Sequence, residues 1–121
     1  MTERLALIVD DHPTNRLIAV ALLRKLGWQT HETDSGAGAL ELAGRHAFRL
    51  VLLDISMPGL TGEETCKALR ELAHGNGLRI IAYTAHAFPE ERARFLAAGF
   101  DDILVKPINR ERLEALTANI C

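Results

Sequence analysis

Aromatic residues are scarce in this 121-residue chain, at 5%, and cysteine is scarcer still, at two. With so few rings there is no stacking surface interleaved with basic side chains, which speaks against a nucleic-acid platform. Cys66 and Cys121 cannot build a disulfide framework. With no signal-peptide core in the sequence either, the expectation is a cytoplasmic protein with two free, reduced thiols. No apolar run approaches the roughly 20 residues that a membrane helix needs, so this domain is expected to stay out of the bilayer. A large charge of one sign is also missing. The 14 Lys and Arg nearly balance the 16 Asp and Glu, and a net charge of -2 gives no bulk attraction to nucleic acid or to an anionic membrane. There is no Gly-Lys-Ser/Thr phosphate loop, which excludes a P-loop NTPase. Gly36-Ala37-Gly38 lacks the third glycine of a dinucleotide loop, Glu41 standing there instead, and reads as a helix start. The histidines at 12, 31, 46, 74 and 86 have no paired zinc spacing and are expected on the solvated surface.

What remains is ordinary globular material, 48% hydrophobic and 25% charged, of a size for one domain over residues 1–121. A short apolar run followed by a stretch of helical periodicity recurs about five times. The candidate strands are Leu5–Val9, Gln29–Thr33, Leu50–Leu53, Arg79–Tyr83 and Asp102–Val105. Leu5–Val9 and Leu50–Leu53 are apolar throughout rather than alternating, as expected of strands buried on both faces of a parallel sheet. Pro13 suits the first turn of the first helix, with Leu17, Ile18, Ala21, Leu22 and Leu26 as its buried stripe and Gly27 as its stop. Thr61 and Glu64 read as a capping box for the third helix. Pro89, Glu90 and Glu91 open the fourth, with Phe95 and Leu96 inward and Gly99 at its end. Phe88, Phe95 and Phe100 read as core and helix-staple residues. Asn109 is expected to cap the last helix, whose stripe is Leu113, Leu116 and Ile120. Trp28 is expected at the amino-terminal edge of the sheet. The alternation predicts an α/β, doubly wound parallel sheet with helices on both faces, and ligands of such sheets sit at the carboxyl ends of the strands.

Complementary groups fall at that edge. Asp10 and Asp11 follow the first strand, Asp54 the third, Thr84 the fourth and Lys106 the fifth. Each alone is an ordinary turn, cap or loop residue. Together they are a different matter. Three close carboxylates repel and call for a cation. An all-oxygen set suits a hard ion, Mg²⁺ or Mn²⁺. A carboxylate, a divalent ion, an ammonium and a hydroxyl are the parts that phosphoryl transfer uses.

These residues resemble the receiver domain of two-component response regulators. The matching segments are Val9-Asp10-Asp11, Leu53-Asp54-Ile55-Ser56-Met57-Pro58-Gly59, Thr84-Ala85, and Ala98-Gly99-Phe100-Asp101-Asp102 running on to Lys106-Pro107, and together they span nearly the whole chain. The resemblance implies a flavodoxin-like five-stranded sheet of order 2-1-3-4-5. It implies that Asp54 accepts phosphate from a phosphohistidine of a histidine kinase or a histidine phosphotransfer domain and loses it slowly. Asp10, Asp11, Asp54 and the Ser56 carbonyl would hold Mg²⁺, and Thr84 and Lys106 would contact the phosphoryl group. It further implies a cis Lys106–Pro107 bond, and it places Ser56 and His86 where the family tunes water attack. His12-Pro13-Thr14-Asn15, Thr84-Ala85-His86-Ala87 and Lys106-Pro107-Ile108 are similar to the receivers of hybrid sensor kinases. The sequence ends soon after the last helix, so the expectation is a stand-alone receiver or one cut from a longer protein. One position departs from the family: Ile103 stands where an aromatic residue usually reports the threonine's movement. Two other readings remain open. An aspartate-nucleophile phosphohydrolase usually has a second Asp two positions after the first, where this chain has Ser56. A pseudo-receiver that only binds partners would be slightly favoured by Ile103.

Overall fold

The computed structural model describes residues 4–55, 62–72, 78–85, 88–106 and 108–118. The chain alternates strand and helix throughout: β1 Leu5–Val9, α1 Pro13–Lys25, β2 Gln29–Thr33, α2 Gly36–Arg45, β3 Leu50–Asp54, α3 Gly62–Leu72, β4 Arg79–Thr84, α4 Pro89–Ala98, β5 Asp102–Val105 and α5 Arg110–Thr117. The strands form one parallel sheet in the order β2-β1-β3-β4-β5. This is the expected doubly wound arrangement. β3 and β4 each run one residue further than their apolar runs predict, taking Asp54 and Thr84 into the ladder.

Position in the sheet explains composition. β1 and β3 lie inside and are buried along their whole length. β2, with the polar sequence Gln-Thr-His-Glu-Thr, is an edge strand with Gln29 and Glu32 exposed. Successive side chains of a strand point to opposite faces, and two cores result. Leu7, Val9, Val51, Leu53, Ile80, Ala82 and Ile103 pack with Ala39, Cys66, Leu69 and Phe95 of α2, α3 and α4. Ala6, Ile8, Leu50, Leu52, Ile81 and Leu104 pack with Ala19, Val20 and Leu23 of α1 and Leu113 of α5.

The structure corrects the expected face of α1. Ala19, Val20 and Leu23 are buried, whereas Leu17 is 69% and Ile18 43% exposed and Ala21 also faces solvent. Leu22 and Leu26 pack only partly against the core. Residues 17–23 are apolar without a break, so helical periodicity alone cannot choose between stripes. The same ambiguity affects α4. Adjacent residues on a helix point about 100° apart, so Phe95 is buried while its neighbour Leu96 is 52% exposed, not inward. Phe88, at the N-cap of α4, is 58% exposed and is not a core residue.

Helix punctuation follows the expected chemistry. Asn109 Oδ1 accepts the backbone N–H of Arg112 at 2.8 Å, and Ser35 Oγ accepts that of Gly38 at 3.0 Å, so Gly36-Ala37-Gly38 is indeed a helix start. Gly99 closes α4 with φ of 114°, a left-handed conformation that disfavours side chains. Beyond it, Arg70 on α3 binds the carbonyls of Gly99 and Leu78 and the carboxylate of Asp101, tying α3 to the turn before β5. Gly62 opens α3 against β3's exit, where an added Cβ would stand 2.9 Å from the Ile55 Cα. The capping role of Thr61, the cis bond at Pro107, the inward face of Ile120 and the free thiol of Cys121 lie outside the described residues, as do Ser56, His74 and His86.

Candidate functional site

All the strands are parallel, so their carboxyl ends share one edge, and the acidic residues meet there. Asp10 and Asp54 are fully buried, and Asp11 beside them is one-third exposed. The Lys106 ammonium, reaching back from the end of β5, lies 3.1 Å from Asp54 Oδ2, to which it donates, and 3.6 Å from Asp10 Oδ2. Thr84 ends β4 and is buried, and its carbonyl accepts the backbone N–H of Lys106 at 2.7 Å. The five side chains singled out from the sequence at Asp10, Asp11, Asp54, Thr84 and Lys106 therefore stand on neighbouring strand ends.

The electrostatics are unbalanced. Burial raises the Asp10 carboxyl above the ordinary aspartate range, and the charge of Asp54 raises it further. The backbone N–H of His12 and the ammonium of Lys106 pull the other way. Asp10 Oδ2 is buried and makes no hydrogen bond to any described residue. Among the described residues, one ammonium, that of Lys106, faces three carboxylates, a donor set that fits a divalent cation. One ligand-capable atom from each of Asp10, Asp11, His12 and Asp54 lies within 4.8 Å of the others.

Three residues that pattern reading passed over shape this site. Tyr83 is almost fully buried, and its ring centroid lies 4.6 Å from Lys106 Nζ, so a cation–π contact steadies the ammonium. Burial, then the charges of Asp10 and Asp54, push its phenol up to about 12. An aromatic residue in a strand is unremarkable in sequence, and only strand pairing reveals that Tyr83 lies opposite Asp54. Arg16, one turn into α1, donates to the Asp10 carbonyl at 2.7 Å and to Glu32 at 3.0 Å, fixing the chain as it leaves β1. His12 is exposed, as expected, yet its Nδ1 lies 2.9 Å from Asp11 Oδ1 and 3.3 Å from Asp10 Oδ1. Away from the site, His31 and His46 stack at 4.4 Å beside Phe48, and His31 is half-buried rather than solvated.

The family model described as the response regulator receiver domain matches residues 6–118. The chain is 39% identical over 110 residues to the sensor histidine kinase GacS of Pseudomonas protegens, covering 88% of this chain and 12% of that protein. It is 40% identical over 108 residues to the signal transduction histidine-protein kinase BarA of Escherichia coli, covering 89% of this chain and 12% of that protein. The chain thus spans about an eighth of the length of these relatives. Among solved structures, it superposes on the Vibrio cholerae chemotaxis protein CheY4 with a TM-score of 0.91 at 28% identity, over 99% of this chain and all of that one. It also superposes on the receiver domain of the sensor histidine kinase PA1611 of Pseudomonas aeruginosa, with a TM-score of 0.86 at 31% identity and 98% of both chains covered. That structure has a magnesium ion coordinated in its active-site cleft. No helix among the described residues is long and apolar enough to cross a membrane. The chain belongs to the response regulator receiver domain family of two-component phosphorelay signalling.

Proposed function

We propose that Asp54 accepts the phosphoryl group, taking it from a phosphohistidine on a histidine kinase or histidine phosphotransfer partner in a magnesium-dependent reaction and losing it slowly to water. The observation that carries this reading is the fully buried Asp54 carboxylate held 3.1 Å from the Lys106 ammonium, within a cluster of like charges. Lys106 orients the Asp54 carboxylate for attack on phosphorus. As the phosphorus–nitrogen bond of the donor breaks and the phosphorus–oxygen bond to Asp54 forms, Lys106 is close enough to turn to a phosphoryl oxygen. Thr84, on the next strand end, brings a hydroxyl donor to the same group.

Asp10, Asp11 and Asp54 would hold the cation, Mg²⁺ or Mn²⁺, with the Ser56 carbonyl as a further ligand. Its chemical contribution is to neutralise the negative charge that the carboxylates and phosphoryl oxygens bring together. Asp10 and Asp11 therefore act as cation ligands rather than nucleophiles. On this reading the domain works in the cytoplasm, where the buried Cys66 thiol stays reduced. Ile103 is packed into the core with Phe95 of α4, so no aromatic side chain at that position is available to report on Thr84. The proposal accordingly concerns phosphoryl chemistry and inherits no particular output.

The test is incubation with Mg²⁺ and acetyl phosphate or phosphoramidate, followed by intact-mass measurement. A single phosphate increment that disappears in Asp54→Ala supports the reading. No increment in the wild-type protein would leave a partner-binding module, and rapid turnover of many phosphate esters would indicate a phosphohydrolase.

A further inference from the structure

His12 has no place in the phosphoryl chemistry above, yet its ring is built into the acidic cluster. Its backbone N–H donates to Asp10 Oδ1 at 2.9 Å, which folds residues 10–12 into a tight turn at the exit of β1. That turn brings Nδ1 to 3.3 Å from Asp10 Oδ1 and 2.9 Å from Asp11 Oδ1. The contact to Asp11 is close but lacks hydrogen-bond alignment, since Asp11 Oδ1 is buried with no hydrogen-bond partner among the described residues.

These separations match the edges of a coordination polyhedron. Bonds of about 2.1 Å in an octahedron place neighbouring ligand atoms about 3 Å apart. A second observation points to a missing ligand independently. Asp10 is fully buried, its Oδ2 has no hydrogen bond to any described residue, and that oxygen faces the cluster at 3.6 Å from Lys106 Nζ. A buried carboxylate oxygen that no described donor hydrogen-bonds is a costly arrangement that a cation would relieve.

We propose that His12 Nδ1 is a nitrogen ligand of this pocket, making it prefer borderline divalent transition ions such as nickel over hard ions such as magnesium. The inference rests on the reading that Asp10, Asp11 and Asp54 hold a divalent ion. Carboxylate oxygens alone suit hard ions, whereas imidazole suits later first-row metals, whose affinities rise from manganese to nickel. The side chain of His12 is 66% exposed. It can therefore turn its Nδ1 onto an incoming ion while Nε2 keeps its hydrogen toward solvent.

Two measurements on the whole chain test this. Calorimetric titration with Ni²⁺ and with Mg²⁺, in wild type and His12→Ala, gives the ratio of the two affinities. That ratio is expected to fall about tenfold or more in the variant. Electron spin-echo spectroscopy of the Mn²⁺-loaded protein is expected to show modulation from a directly bound ¹⁴N in wild type and none in His12→Ala. An unchanged affinity ratio, or ¹⁴N modulation that is absent from wild type or persists in the variant, overturns the nitrogen ligand while leaving the acidic site intact. Wild-type protein that binds none of the three ions overturns the cation site itself, and the ligand with it.

Discussion

The ammonium of Lys106 lies 4.6 Å from the ring centroid of Tyr83 and donates to Asp54 from that position. The ring faces the cation where water would otherwise compete, and a contact of this kind contributes roughly 0.5–2 kcal/mol. Tyr83→Leu should therefore slow phosphorylation by small-molecule donors about three- to tenfold, because Lys106 is no longer held. Tyr83→Phe, which keeps the ring, should stay within about twofold of wild type. Rates from intact-mass time courses distinguish the two, and equal loss in both variants would point to the hydroxyl instead.

Asp10 is a buried carboxylate whose ionisation is opposed by burial and by Asp54. Without a divalent cation, Asp10→Asn should raise the thermal midpoint by a few degrees, since a domain of this size gains roughly 4 °C per kcal/mol. With saturating Mg²⁺ the order should invert, because the cation stabilises the native state according to its affinity and the variant has lost a ligand. Paired melting curves with Mg²⁺ and with a chelator check both signs.

Most of this arrangement could be read from residue order, for a simple reason. Leu5–Val9 and Leu50–Leu53 are apolar without alternation, a pattern that fits strands covered on both faces, and parallel strands deliver Asp10, Asp54, Thr84 and Lys106 to one edge. Helix faces were less legible. Leu17 and Ile18 compete with Ala19, Val20 and Leu23 within one apolar run, and only packing against β1 and β3 decides in favour of the second set. The parts played by Tyr83 and His12 were illegible because they depend on which way a side chain leaves the backbone, a property that strand register and a local turn set.

Cys66 offers a pH test away from the site. Burial is the main reason its thiol is pushed up to about 11, from an ordinary value of 9.0. The native state then holds a proton that the unfolded chain releases, so stability is retained below about pH 9 and falls as pH rises toward 11. At most about 3 kcal/mol is at stake, using about 1.4 kcal/mol per pKa unit. Denaturant titrations should show a shallower decline over this window in Cys66→Ala than in wild type. At pH 8 the native thiol should react with alkylating reagents much more slowly than after unfolding.

Trp28 directly precedes β2, at the sheet edge opposite the carboxylates, buried beneath α1 with the Arg4 guanidinium 5.2 Å from its ring. Saturating the protein with Mg²⁺ should leave its emission nearly unchanged. Strong quenching would mean that cation binding reorganises the far end of the fold.

Reductive trapping locates the bond itself. An acyl phosphate on aspartate is cleaved by borohydride to homoserine, so protein treated with phosphoramidate and Mg²⁺, then reduced and digested, marks the acceptor by mass. The account predicts homoserine at residue 54 and nowhere else, with none formed when Mg²⁺ is chelated. Homoserine at position 10 or 11, or no conversion in protein that binds Mg²⁺, would contradict it.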